Sequence, residues 1–184
     1  AKDVTRRSTR TRLHSGLGLI PADRHRQGII LELPISDNLI LNRYDLPPYE
    51  RWTVRQFRAI RATAERLIKT FDIRTQSPDQ PAASLSGGNQ QKLVVARELG
   101  TGPNVLIASQ PTRGVDVGSI EFIHRQIVTQ RDAGLGVLLV SAELDEVLAL
   151  ADRVAVMYRG RIVAVLTGEE IDRDRIGLLM AGAA

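Results

Sequence analysis

The chain of 184 residues contains no cysteine. That excludes a disulfide framework, a thiolate zinc site and a cysteine nucleophile. Histidine is limited to His14, His25 and His124, and their scatter speaks against a metal centre built on imidazole alone. Aromatic residues are few, with one Trp, three Tyr and three Phe, and they are not interleaved with the basic cluster. A binder of single-stranded nucleic acid needs stacking platforms there, so no nucleic acid is expected as a partner. Lysine is as scarce: Lys2, Lys69 and Lys92 follow Ala, Ile and Gln. No Gly-Lys pair exists, so the phosphate-wrapping loop Gly-x-x-x-x-Gly-Lys-Ser/Thr is missing. No apolar run reaches the roughly 18 residues of a membrane-spanning helix, and no signal peptide opens the chain. It starts at Ala1 on a polar, Arg-rich stretch, which leads to the expectation that it is a piece of a longer protein.

What is present describes a folded chain. Hydrophobic residues make up 43% and charged residues 25%, a globular and not a disordered balance. The net charge of +4 is unevenly spread. Residues 1–76 hold 15 basic and 8 acidic side chains, net +7, and residues 77–184 hold 10 and 13, net −3. The basic half is read as a solvated helix face, and a surface near anionic headgroups also fits its charge.

Polar breaks at Pro47-Pro48 and Ser77–Pro81 are read as loops. Between them, Thr53 and Gln56 form a candidate capping box, followed by Phe57, Ile60, Ala64, Leu67, Ile68 and Phe71 at helical spacing. Val105–Ala108, a helical stretch from Ser119 to Asp132 stopped by Gly134, and Val137–Val140 make a strand-helix-strand unit, the signature of a parallel sheet. Leu17–Ile20 and Ile29–Leu33 read as further short strands, Glu143–Leu150 as a short helix, Val154–Tyr158 and Arg161–Leu166 as a hairpin turning at Arg159-Gly160, and Asp172–Met180 as a last helix. The class is α/β, with a helical lobe at about 36–98.

The stretch Leu85-Ser86-Gly87-Gly88-Asn89-Gln90-Gln91-Lys92 carries the most chemistry. A glycine pair opens a helix that runs to Leu99, with Ser86 placed to cap it. Free N–H groups at such a start attract an anion, helped by the helix dipole. Carboxylates elsewhere are weaker candidates. Glu143, Asp145 and Glu146 read as a solvated face, Glu169-Glu170 as a helix start, and His124 as a packed or surface residue.

Leu85–Lys92 resembles the signature motif of ABC (ATP-binding cassette) ATPases, and the surroundings follow the cassette order. Ser109-Gln110-Pro111-Thr112 stands where the family's Walker B motif ends in Asp-Glu-Pro-Thr, Arg113–Asp116 resembles the D-loop, and Ser141–Leu144 falls where the switch histidine belongs. Gly18–Arg24 sits at the Q-loop. The Pro-x-Asp-Arg-His segment at 21–25, Asn89–Lys92 and Gln110–Gly114 resemble the second cassette of double-cassette importers for simple sugars and nucleosides, and Ser-Gln-Pro-Thr leans toward the nucleoside branch. The implied fold is a P-loop NTPase-like ABC nucleotide-binding domain fragment, with a mostly parallel sheet and an inserted helical lobe. Its parts would be 1–35 on the Q-loop side, 36–98 as the helical signature subdomain, and 99–184 as the Walker B, D-loop and switch part.

The resemblance also exposes departures. Ser109 replaces the Walker B Asp, Gln110 the catalytic Glu, Ala142 the switch His and Ala22 the Q-loop Gln. An amide can orient a water but cannot take its proton. The resemblance therefore implies no catalytic residue in this chain and no metal ligand. Ser86, Gly87, Gly88 and Gln90 would serve ATP and Mg²⁺ held by a first cassette, with Asp116 helping to couple the two sites. Transmembrane permease subunits would contact about 24–38 and 77–83, at the cytoplasmic face of a bacterial plasma membrane. A helix start supplies up to ~2 kcal/mol for an anion against about 8 for micromolar affinity, so no tightly bound nucleotide is expected on the chain alone. Self-association through exposed apolar surface is an expectation as well. Two alternatives stay open: a soluble ABC ATPase acting on nucleic acid or ribosomes, and a dimerisation module without nucleotide contact.

Overall fold

A computed structural model describes residues 3–182, which leaves Lys2 outside. The chain divides into two compact units, 1–140 and 141–184. The first is built on a parallel three-stranded sheet of β1 (Leu17–Ile20), β4 (Val105–Ser109) and β5 (Gly136–Val140), in the order β1-β4-β5. Leu19 pairs with Ile107, and Ile107 with Leu138. Alternation along the strands buries Ile20, Leu106 and Ala108 on one face and leaves Leu19, Val105 and Leu138 exposed on the other. The helix α5 (Val117–Asp132) links β4 to β5, with Ile123 and Ile127 inward. It ends where expected, with Gly134 just past the end at φ +101°.

The helix α4 (Gly87–Leu99) is the centrepiece, buried at Gly88 and from Gln90 to Leu99. Burying its polar residues requires partners. The Arg97 Nε donates to Glu98 at 2.8 Å and its Nη1 to the Gly28 carbonyl at 2.7 Å, while the Leu19 N–H donates to Glu98 at 3.1 Å. This pair ties the sheet to the helical lobe.

Before α4 come α1 (Thr9–His14), α2 (Ile35–Leu39), the two-residue strands β2 (Glu50–Arg51) and β3 (Val54–Arg55), and α3 (Phe57–Thr70). Three expectations change here. Ile29–Leu33 is not a strand: a π-helical turn at Arg24–Gly28 precedes it, and the buried Asn38 amide gathers it into a turn by accepting from the Ile30 N–H at 2.9 Å and donating to the Ile30, Leu33 and Pro34 carbonyls at 2.9, 3.2 and 3.2 Å. Thr53 caps no helix, because it stands at φ +63° in the tight turn between β2 and β3 and α3 starts only at Phe57. Phe57 is accordingly exposed, and the buried stripe is Ile60, Ala64 and Leu67, with Phe71 beyond it. Third, Trp52 and Phe57 are interleaved with basic residues after all: they fall between Arg51, Arg55 and Arg58 in the chain, stand exposed, and Arg55 lies 5.3 Å over the Phe57 ring.

The second unit packs α6 (Leu144–Leu150) and α7 (Arg173–Met180) on the antiparallel hairpin β6 (Arg153–Tyr158) and β7 (Arg161–Thr167). Val154, Val156, Leu166 and Ile176 form its core. Glu146 is buried here, so the solvated acidic face is limited to Glu143 and Asp145. No helix among the described residues is long and apolar enough to cross a membrane.

Candidate functional site

Ser86 caps α4 with extended backbone, φ −63° and ψ 160°. Its Oγ accepts from the Asn89 N–H at 3.4 Å and from the Asn89 Nδ2 at 2.9 Å. Both oxygen lone pairs are then engaged, which leaves the hydroxyl proton to donate outward. The N–H groups of Gly87 and Gly88, at the first two helical positions, have no carbonyl within their own helix to meet. Three donors therefore sit at one helix start, with Ser86 exposed, Gly87 half-buried and Gly88 buried.

The glycines are there for different reasons. A Cβ on Gly88 would lie 2.3 Å from the Ser119 Oγ and 2.4 Å from the Asp116 Oδ2, so only glycine lets the start of α4 press against the start of α5. A Cβ on Gly87 would approach the Arg24 guanidinium at 3.1 Å. Arg24 reaches this point by donating to the Arg113 carbonyl at 2.9 Å and the Gly114 carbonyl at 3.4 Å. Neutral acceptors leave its positive charge uncancelled beside the tip.

Asp116 caps α5 and belongs to the same cluster. Its Oδ1 accepts from the Ser119 N–H and its Oδ2 from the Ser119 hydroxyl, both at 2.9 Å. The Ser119 backbone and side-chain bonds hold this carboxyl below the usual carboxylate range. Beside it lies a polar cavity of about 410 Å³, lined in part by Ser86, Asn89, Lys92 and Asp116. The Lys92 ammonium spans it, donating to the Asp72 carboxylate at 2.8 Å and lying 4.5 Å above the Phe122 ring. Lys92 in turn lowers the Asp72 pKa.

Among the sequence candidates, Ser86, Gly87, Gly88 and Asp116 come together. Gln90 does not join them. It is 7% exposed, its amide donates to the Ala82 and Leu85 carbonyls, and its Oε1 lies 2.8 Å from the His25 Nε2. Asn89, not among the sequence candidates, is the residue bonded to the Ser86 hydroxyl. Counting three residues on from the cap finds it, because that residue faces back toward the capping side chain. Arg24 carried no such local signal, since its partners lie 89 and 90 residues away.

A second region lies at the carboxyl ends of the parallel strands, where open α/β sheets bind ligands. Ser109 ends β4, Gln110 follows at φ +50° with its N–H donating to the Val140 carbonyl at 2.8 Å, and Ala22 lies beyond β1. Ala142 belongs to the second unit. Among the described residues, no group of three or more His, Cys, Asp or Glu could hold a metal ion. A hydroxyl at 109 and an amide at 110 are neutral and bring no negative charge to a Mg²⁺ ion, whereas the α4 tip fits an anion.

Residues 1–113 match the family model described as ABC transporter. The chain belongs to the ABC transporter family. Relatives of this cassette include the guanosine import ATP-binding protein NupO of Bacillus subtilis, 44% identical over 99% of the chain and 36% of that protein. The nucleoside import ATP-binding protein NupA of Lactococcus lactis is 41% identical over 98% and 36%, and the ribose import ATP-binding protein RbsA of Rhodococcus jostii 38% over 99% and 36%. The chain thus spans little more than a third of the length of these relatives. Among solved structures, an ATP-binding cassette of an ABC transporter superposes with TM-score 0.76 at 23% identity, covering 99% of this chain and 73% of that one. A nucleotide-free cassette gives 0.73 at 24%, covering 92% and 68%. The fold is that of an ABC ATP-binding cassette.

Proposed function

We propose that the chain is part of the ATP-binding protein of an ABC importer for nucleosides or simple sugars, where it lends a signature half-site to ATP held by a partner cassette. The observation that carries this reading is the imbalance within one cassette. Three donors are kept at the tip of α4, and no carboxylate stands at 109 or 110. The Ser86 hydroxyl and the Gly87 and Gly88 N–H groups would bind the terminal phosphate, with the Arg24 charge beside them. ATP with Mg²⁺, bound chiefly on the first cassette, supplies the phosphoanhydride to be cleaved. This chain contributes electrostatic stabilisation and no base. Asp116, with its Ser119 bonds, would keep the tip in register with the D-loop segment.

Residues 1–35, 36–98 and 99–184 then divide the work among Q-loop side, signature lobe, and Walker B, D-loop and switch part. The permease is the proposed partner of 24–38 and 77–83. Backbone bonds that join those segments support one shared surface: Ile35 N–H to the Gln80 carbonyl and Ser36 N–H to the Pro78 carbonyl, both at 2.9 Å, and Ala82 N–H to the Leu33 carbonyl at 3.0 Å. The parent would sit as a peripheral protein at the cytoplasmic face of a bacterial plasma membrane, a reading supported by the import ATP-binding proteins among its relatives.

The test is Ser86→Arg in the full transporter. Removing the outward donor and filling the tip should lower ATPase turnover on the order of a hundredfold. Unchanged turnover would refute the half-site.

A further inference from the structure

The hairpin β2–β3 and the first turn of α3 are used neither by the signature tip nor by the segments assigned to the permease. Their surface is unusual for a water-facing loop. Trp52 at the turn is 83% exposed, Phe57 70% and Val54 59%. Solvent normally covers single apolar residues without consequence, but three large ones clustered on one protrusion mark a contact surface. Behind them a groove of about 720 Å³ is lined by Pro47, Pro48 and the hairpin itself.

The charge around these residues is one-sided. Positions 49–58 carry Arg51, Arg55 and Arg58 against Glu50 alone. Glu50 is occupied as acceptor of the Thr53 N–H, and Arg55 is paired with Asp37. Arg51 and Arg58 have no acidic partner among the described residues. The backbone adds an independent observation. Trp52 and Thr53 both sit at positive φ, +56° and +63°, a conformation that favours Asn and Gly and disfavours bulky or β-branched side chains. A strained turn that places an indole in water calls for a role beyond folding.

We propose that this hairpin docks on an anionic lipid surface. Trp52 leads, Val54 and Phe57 enter the headgroup layer, and Arg51 and Arg58 pair with lipid phosphates. Indole and guanidinium side chains suit that interface because each combines an apolar body with a polar or charged end. The inference rests on the importer reading only in expecting a membrane nearby.

Trp52 is the single tryptophan, so its emission reports this tip alone. The full chain is titrated with vesicles of phosphatidylglycerol and phosphatidylcholine. A blue shift with anionic vesicles, weakened by salt, is the expected result. Arg51→Glu with Arg58→Glu should reduce vesicle partitioning by more than tenfold, at about fivefold per lost cation. Trp52→Gly relieves the turn, so it should melt no lower than the parent yet lose partitioning in a sedimentation assay. No spectral change with anionic vesicles overturns the proposal. So does a response to an RNA oligonucleotide with none to vesicles, which would make the patch a nucleic-acid surface. The assay holds no nucleotide and no partner cassette, so its failure leaves the half-site standing, and an unaltered turnover of Ser86→Arg leaves this test unaffected.

Discussion

The tip of α4 and the end of β4 belong to one unit, and their chemistry differs. The tip keeps a capped helix start with Ser86, Gly87 and Gly88, while the strand end carries Ser109 and Gln110. Donors at the tip are mostly backbone N–H groups, which persist as long as the helix starts there and glycine allows the approach. Chemistry at the strand end depends on side-chain carboxylates, and a single substitution removes each. A half-site made of backbone therefore tolerates substitution better than one made of side chains.

The sharpest way to break this contrast is at Gly88. An alanine methyl there would collide with Ser119 and Asp116 at 2.3 and 2.4 Å, and overpacking of this kind costs about 1–3 kcal/mol. We expect Gly88→Ala to lower the melting temperature of the chain and to cut transporter ATPase by about tenfold or more, since about 1.4 kcal/mol is tenfold in rate. Equal turnover would mean that the tip does not touch the reacting phosphate.

An intermediate effect is expected from acid. The Asp116 carboxyl is held low by Ser119, and that of Asp72 by Lys92. Each is therefore more readily protonated in the unfolded chain than in the folded one. Their stabilisation is complete above the ordinary Asp value of about 3.9 and disappears as the pH falls through the lower folded values. Asp116→Asn, which still caps the helix but no longer titrates, should make acid unfolding less steep. A melt series from neutral to strongly acidic pH would show it, and an unchanged slope would remove Asp116 from the account.

The smallest effect belongs to the strand end. Gln110→Ala in the full transporter should leave ATPase activity within about twofold, because an amide there takes no proton. A loss as large as that of Ser86→Arg would overturn the contrast and give Gln110 a working role.

Legibility from sequence followed the range of the forces involved. The strands β4 and β5, the helix between them and its stop at Gly134 were readable because apolar runs and glycine act over a few residues. The capping box at Thr53 misled because Ser/Thr-x-x-Gln is also compatible with a hairpin turn, and nothing local distinguishes the two. The strand expected at 29–33 failed for another reason: the buried Asn38 amide, a few residues on, bonds back and bends that segment. Gln90 looked as available as Asn89 until the packing of α4 against the 82–85 turn and His25 enclosed it.

By itself the sequence determined the α/β class, the order of the motifs, the absence of carboxylates at 109 and 110, and the glycine-opened helix, because each is a matter of residue identity and near-neighbour spacing. Tertiary structure alone decided that Arg24 turns back to the Arg113 and Gly114 carbonyls and that Gly88 is sealed against the start of α5. Those arrangements arise when surfaces far apart in the chain are pressed together, and pairwise contact over such distances leaves no periodic trace in the order of residues.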